Sequence, residues 1–174
     1  MLIILGIIVA ALSLYLALKA KAPLDIYKQF SLPATQWVIV GTDLGKGHPR
    51  KRLSALGVAG EPDAIFRGNR TGQIVIGEFK NRMYKGFVRR REYYQVMLYI
   101  GLAREAFKES NVVGLLSFRD ECVQIPFDEQ LFRALVSIRT EVPISLKNRK
   151  PQDSRPLHKR MGITVKNPKI RFPR

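Results

Sequence analysis

The hydrophobic pattern divides the chain at once. Residues 1–18, MLIILGIIVAALSLYLAL, form an apolar run without a single charge. At about 1.5 Å per residue a helix of that length nearly crosses a hydrocarbon slab of about 30 Å. The run predicts a single transmembrane helix, with 1–22 as a membrane anchor. Ala20-Lys21-Ala22 also has the small-x-small form of a secretory cleavage site, but no basic residue precedes the run, and it exceeds the roughly 7–15 apolar residues of a signal peptide. Positive charge starts at Lys19 and Lys21, so the positive-inside rule places the rest of the chain in the cytoplasm.

Beyond Pro23 the pattern becomes that of a soluble α/β domain. Residues 23–35 read as a linker with one helical turn, ended by Pro33. WVIVG at 37–41 is a short buried strand, followed by a Gly-rich basic loop, TDLGKGHPRKR. LGVAGEPDAIFR (56–67) and GQIVIGEFK (72–80) are strand-like runs separated by Gly68-Asn69-Arg70-Thr71, which is hairpin chemistry. Tyr94, Met97, Leu98, Gly101 and Leu102 recur at helical spacing and predict a helix over about 88–108. NVVGLLSF and ECVQIPF form a second hairpin across Arg119-Asp120, and a last helix runs from Asp128 to about Glu141. The reading is an α/β domain at 36–141, a mixed sheet flanked by helices, followed by a basic tail at 142–174.

Charge changes the picture next. Lys and Arg number 30 against 14 Asp and Glu, for a net charge of +16, which points to a polyanionic partner. The tail carries ten of those basic residues, among them Lys147, Arg149, Lys150, Arg155, Lys159 and Arg160, and one acid, Asp153. Rich in proline and poor in large apolar residues, the segment reads as either an extended arm packed on the domain or a partly disordered one, and its charge suits a phosphate clamp, a binder of anionic lipid beside a bilayer, or a solvated tail with no specific partner. The single cysteine, Cys122, permits neither an internal disulfide nor, by itself, a zinc or iron–sulfur site, and reads as a buried strand residue.

Candidate chemistry sits in the first hairpin. Strand alternation puts Glu78 and Lys80 on one face and Phe79 on the other. Asp63 lies fifteen residues before Glu78, and folding about residues 70 and 71 sets it opposite Glu78 and Lys80. Converging carboxylates call for a hard cation, and Mg²⁺ or Mn²⁺ takes one or two of them while keeping its waters. A metal-activated water beside an ammonium suits attack on a phosphodiester. The competing reading is a plain cross-strand salt bridge between Lys80 and Asp63, with Glu78 solvated.

The string GEPDAIF, GQIVIGEFK and YYQVMLY resembles the PD-(D/E)XK nuclease superfamily, and in particular the RecB-like branch that includes the CRISPR-associated exonucleases. Pro62-Asp63 matches the first acidic motif, Glu78-Phe79-Lys80 the E-x-K motif, and Gln95 to Tyr99 the Q-x-x-x-Y motif of the following helix. The resemblance spans roughly residues 36–135. It implies a restriction-endonuclease-like sheet and a metal-dependent nuclease. Asp63, Glu78 and the backbone carbonyl of Phe79 would hold the metal, Lys80 would orient the water, and Gln95 and Tyr99 would approach the site or the substrate backbone. The branch's iron–sulfur cysteines are missing, since the C-terminal region reads PLHKRMG, so no iron–sulfur cluster is expected. No acid or histidine on a helix precedes Asp63; Asp43 and His48 are the nearby candidates for an extra ligand, with His48 read as a loop residue and His158, in the tail, no better placed.

Two basic clusters, Lys46 with Arg50, Lys51 and Arg52 in the early loop and Arg89, Arg90 and Arg91 at the start of the Gln95 helix, are expected to flank the acids and hold nucleic-acid phosphates without reading sequence. The combined expectation is a membrane-tethered nuclease acting on nucleic acid, chiefly DNA. The rivals are a membrane-tethered nucleic-acid-binding module on a nuclease fold with little catalysis, and a membrane-surface protein whose tail holds anionic lipid.

Overall fold

The computed structural model describes residues 25–45, 47–164, 167 and 170–173. The expected anchor at 1–22 lies outside the described residues, as does Lys46. Among the described residues no helix is long and apolar enough to cross a membrane.

Five strands form a mixed sheet: β1 (Trp37–Thr42), β4 (Ala64–Gly68), β5 (Ile74–Phe79), β6 (Val112–Ser117) and β7 (Cys122–Ile125), adjacent in that order. All neighbours are antiparallel except β5 and β6. Parallel neighbours need a long crossover, and the helix α2 (Arg90–Phe107) supplies it. The central strands β4 and β5 are buried almost throughout, because both faces of the sheet are covered.

One face is covered from the N-terminal side. A short helix, α1 (Ile26–Gln29), is capped by the Asp25 carboxylate, which accepts from the Lys28 N–H at 3.1 Å. It delivers Phe30, fully buried, onto Phe66 with ring centroids 5.4 Å apart. Phe30 fits because its ring lies where a Cβ on Gly77 would be, 2.6 Å from the nearest ring carbon. Burying a ring of this size is worth about 1.5–3 kcal/mol. The segment expected to be a linker therefore contributes Ile26 and Phe30 to the core.

The other face packs on α2. A Cβ on Gly114 of β6 would lie 2.3 Å from Val96, and one on Gly101 would lie 2.2 Å from the Phe132 ring. These two glycines let α2 sit close to the sheet and to α3 (Glu129–Ser137). Glu92 starts α2, accepting from the Arg89 N–H at 3.1 Å and pairing with Arg82 at 2.7 Å.

Two stretches depart from the sequence expectation. The strand-like run 56–67 is broken, because Pro62 has no N–H to give a ladder. It divides into β4 and a separate hairpin of β2 (Leu53–Ala55) and β3 (Val58–Gly60), turned at Leu56 and Gly57, both at positive φ. The helix expected to Glu141 ends at Ser137, passes through a 3₁₀ turn (Ile138–Thr140) and continues as α4 (Glu141–Asn148). Pro143 sits in the first turn of α4, where the missing N–H costs nothing.

The basic tail is docked. Thr164 binds the buried Asp128 carboxylate through both N–H and hydroxyl at 2.7 Å, while Asp128 also caps α3 by accepting from the Leu131 N–H. A short helix, α5 (Leu157–Arg160), precedes the buried Met161. Phe172 meets Tyr93 edge to face at 5.3 Å.

Candidate active site

The sheet register decides the geometry. Ala64 pairs with Gly77, so the next cross-strand position outward sets Asp63 opposite Glu78. Asp63 is held from two sides. Its carboxylate Oδ2 accepts from the Phe79 N–H at 2.6 Å, and its backbone carbonyl accepts from the Thr42 hydroxyl at 2.6 Å and the Asp43 N–H at 3.1 Å. Thr42, at the end of β1 and buried, is a positioning residue that the sequence pattern did not single out; its signal was the β-branched hydroxyl closing the VIVGT run.

Glu78 is 3% exposed. Its Oε1 pairs with Lys80 Nζ at 2.7 Å, and its Oε2 is buried with no hydrogen-bond partner among the described residues. The ion pair made by Lys80 is thus with Glu78 and not across the hairpin with Asp63. Lys80 Nζ also donates to Gln95 Oε1 at 3.2 Å, and Gln95 Nε2 donates to the Tyr99 hydroxyl at 3.3 Å. The Lys80 backbone is fixed by its N–H donating to the Ser117 carbonyl at 2.7 Å. Ser117 is itself fully buried and tied through its hydroxyl to the Gln29 carbonyl. Five expected residues, Asp63, Glu78, Lys80, Gln95 and Tyr99, therefore meet in one place. Tyr99 packs against Gly60, where a Cβ would come within 2.4 Å of its ring.

Burial pushes both carboxyls above their ordinary range. For Asp63 the Phe79 N–H opposes that shift and the Asp43 charge adds to it. For Glu78 the Lys80 ammonium and the Asp63 backbone N–H oppose it and the Asp63 charge adds to it. Burial also raises the Tyr99 phenol, although its bond with Gln95 pulls the other way and the charges of Glu78, Asp63 and Asp43 push further up. Asp43 thus faces the acid pair electrostatically while remaining exposed; His48 is an exposed loop residue.

The basic clusters part company. Lys80, Arg89, Arg91 and Gln95 line one hollow beside the acids. Arg90 is engaged with the tail, its guanidinium 4.9 Å from the Phe172 ring centre. In the other cluster, Lys51 reaches over Phe107 at 4.8 Å, at the opposite end of α2 from Arg89. Arg50 and Arg52 are exposed on the same loop. Arg89 and Arg91 thus lie beside Lys80 and Gln95, whereas Lys51 lies elsewhere, its charge over an aromatic ring. Cys122 is half-buried, with its thiol pushed up to about 11 by burial.

Among the described residues no group of three or more His, Cys, Asp or Glu side chains is placed to hold a metal. What the site does offer is two carboxylates with one oxygen unclaimed, which matches the habit of Mg²⁺ and Mn²⁺ of taking one or two carboxylates and keeping water.

No family model matches this chain, and no curated protein matches it. A solved structure, the crystal structure of SSO0001, is similar over 87% of this chain with 20% sequence identity and a TM-score of 0.36. The match takes in 61% of that protein's chain, so the two differ in extent.

Proposed function

We propose that the protein is a divalent-metal-dependent nuclease of the PD-(D/E)XK type, on a restriction-endonuclease-like sheet, hydrolysing phosphodiester bonds of nucleic acid, chiefly DNA, with little sequence preference. The observation that carries the reading is the buried Glu78 carboxylate, its Oε2 without a hydrogen-bond partner among the described residues, opposite Asp63 with the Lys80 ammonium alongside. A buried carboxylate oxygen without a donor costs free energy unless something occupies it, and a hard cation takes one or two facing carboxylates while keeping its waters.

Asp63, Glu78 and the Phe79 carbonyl would hold Mg²⁺ or Mn²⁺. When bound, the ion would supply an acidified water and neutralise charge growing on the phosphorus oxygens. The chain's own residues do the rest. Lys80, braced by Glu78 and Gln95, presents an ammonium that orients a water and donates to a phosphate oxygen. Arg89 and Arg91 line the adjoining hollow and bind backbone phosphates without reading bases. Tyr99 keeps its proton and serves as a donor, since its phenol is raised rather than lowered.

The test is incubation of the purified full chain with linear, circular and single-stranded DNA, and with RNA, in Mn²⁺, Mg²⁺ or EDTA. Cleavage should require the metal and should be lost in Asp63→Ala, Glu78→Ala and Lys80→Ala. Undiminished cutting by Asp63→Ala, or cutting in EDTA, overturns the proposal.

A further inference from the structure

Exposed apolar side chains are ordinary when they stand singly. In this protein they are grouped. Of seven exposed large apolar residues among the described ones, four, Val142, Ile144, Leu146 and Leu157, lie on α4 and at the start of α5. Leu146 is the most exposed of them, at 73%, and α4 has no buried residue at all. Val142 and Leu146 are four positions apart and so share a face of the helix. With Leu157 they line one hollow of about 720 Å³ between α4 and the segment that follows it, so the apolar surface is continuous.

The same surface carries cations. Arg149 and Lys150 line the hollow as well, and Lys147 adjoins Leu146 on the exposed side of α4. The acids nearby are already taken: Glu141 pairs with Arg160, and Asp153 pairs with Arg155 at 2.7 Å and Arg160 at 3.2 Å. Among the described residues Lys147, Arg149 and Lys150 are therefore left without an acidic partner. A nucleic-acid backbone would answer these cations but leave valine and leucine in water. An anionic bilayer answers both at once, because apolar side chains enter the acyl boundary while Lys and Arg stems lie along it and hold their charges at phosphate level. The sequence also brings a bilayer within reach. The apolar run expected to be an anchor ends at Leu18, and α1 is capped at Asp25, a span of at most about 25 Å when extended. A short tether of this kind makes the second contact intramolecular, so a modest patch suffices.

We infer that α4 lies on the surface of an anionic bilayer, with Val142 and Leu146 in the acyl boundary and Lys147, Arg149 and Lys150 among the headgroups, and that this contact holds the domain against the membrane. It is a surface separate from the acid pair and independent of the nuclease reading.

The test labels the full chain at Leu146→Cys, in a Cys122→Ser background, with an environment-sensitive fluorophore. The protein is reconstituted into vesicles of phosphatidylcholine alone or with about one third phosphatidylglycerol, both containing brominated acyl chains as quencher. Val38→Cys, on the edge strand β1 and 53% exposed, is labelled in parallel. The label at 146 should be quenched about threefold in anionic vesicles and little in neutral ones, and the label at 38 in neither. Each cation near an anionic surface is worth about fivefold in binding, so Lys147→Gln, Arg149→Gln and Lys150→Gln together should lower the docking equilibrium about a hundredfold and abolish the quenching. No quenching at 146, equal quenching at 38, or quenching indifferent to anionic lipid overturns the inference. So does a label at 146 already shielded from aqueous iodide in neutral vesicles, which would put a second copy or another segment of this chain on α4, or one shielded there by added DNA, which would make α4 part of a nucleic-acid surface. Neither metal nor cleavage enters the readout, so the nuclease proposal stands or falls separately.

Discussion

Replacing Asp63 by asparagine should leave the stability of the metal-free protein nearly unchanged and remove its response to metal. Asparagine keeps an oxygen to accept from the Phe79 N–H, now found at 2.6 Å, and deletes the charge facing Glu78. Facing cross-strand groups lie about 5 Å apart, so the repulsion is about 3 kcal/mol at an effective dielectric of about 20. Solvent reaching the half-buried Asp63 cuts this to about 1.5 kcal/mol. Against it stand the loss of charge assistance in the Phe79 bond, about 1 kcal/mol, and the loss of the Lys80 attraction, about 0.5 kcal/mol. The terms nearly cancel, so Tm should move by less than about 2 °C for a chain of this size.

Metal separates the two. In Mn²⁺ at about 100 times its Kd the wild-type protein should gain about 2.7 kcal/mol, or about 5–10 °C, and Asp63→Asn should gain almost nothing. The pH dependence follows from the raised carboxyls. Without metal their contribution to stability is fully present below the ordinary carboxylate range and is lost as pH rises through the raised values. With metal the slope turns over, because protons compete for the same oxygens. Thermal unfolding of both proteins at pH 5 and pH 8, in EDTA and in Mn²⁺, measures all of this. A loss of about 2 kcal/mol or more for Asp63→Asn in EDTA would show that Asp63 is a structural acceptor and not half of a frustrated pair. A retained Mn²⁺ shift in that variant would refute the metal assignment.

Glu92→Ala should cost about 3 kcal/mol in urea unfolding, because it strands the Arg82 guanidinium, now paired at 2.7 Å and lying 4.6 Å from the Phe118 ring centre, and uncaps α2; a loss under 0.5 kcal/mol would show the pair to be idle. Gly60→Ala places a methyl 2.4 Å from the Tyr99 ring and should lower cleavage more than tenfold while costing about 1–3 kcal/mol of stability; normal cleavage would separate Tyr99 from the reaction. Arg91→Ala should lessen the salt slope of DNA binding by about one phosphate, whereas Lys51→Ala, at the far end of α2, should leave it nearly unchanged; equal effects would place both in the groove.

The acid pair was legible because it depends on counting. Strand alternation and a hairpin centred between residues 70 and 71 fix which residues face each other, and the observed pairing of Ala64 with Gly77 is that same register. The interior of the sheet followed for a similar reason, since IFR and IVI allow no helical period. The rest depended on contacts distant in sequence. Nothing local marks Phe30 as core: it is buried because Gly77, some fifty positions later, leaves room for its ring. Proline acts in opposite directions at two positions, interrupting a strand at Pro62 yet being accommodated in the first turn of a helix at Pro143.

The basic tail shows the same limit and what it hides. Its composition left open an arm packed on the domain or a partly disordered one, and of the two the contacts of Thr164, Met161 and Phe172 with Asp128, the core and Tyr93 favour the packed arm. Charge composition reports what a segment attracts and is silent on where its few apolar residues dock. Here those few residues decide the matter, because the segment they anchor is part of the packed domain. Truncation before Leu157 should therefore cost about 2–5 kcal/mol in urea unfolding, since it removes the buried Met161 and takes the two Thr164 donors from the Asp128 carboxylate; a chain that unfolds at the same urea concentration without the tail would show that these contacts contribute nothing to the domain.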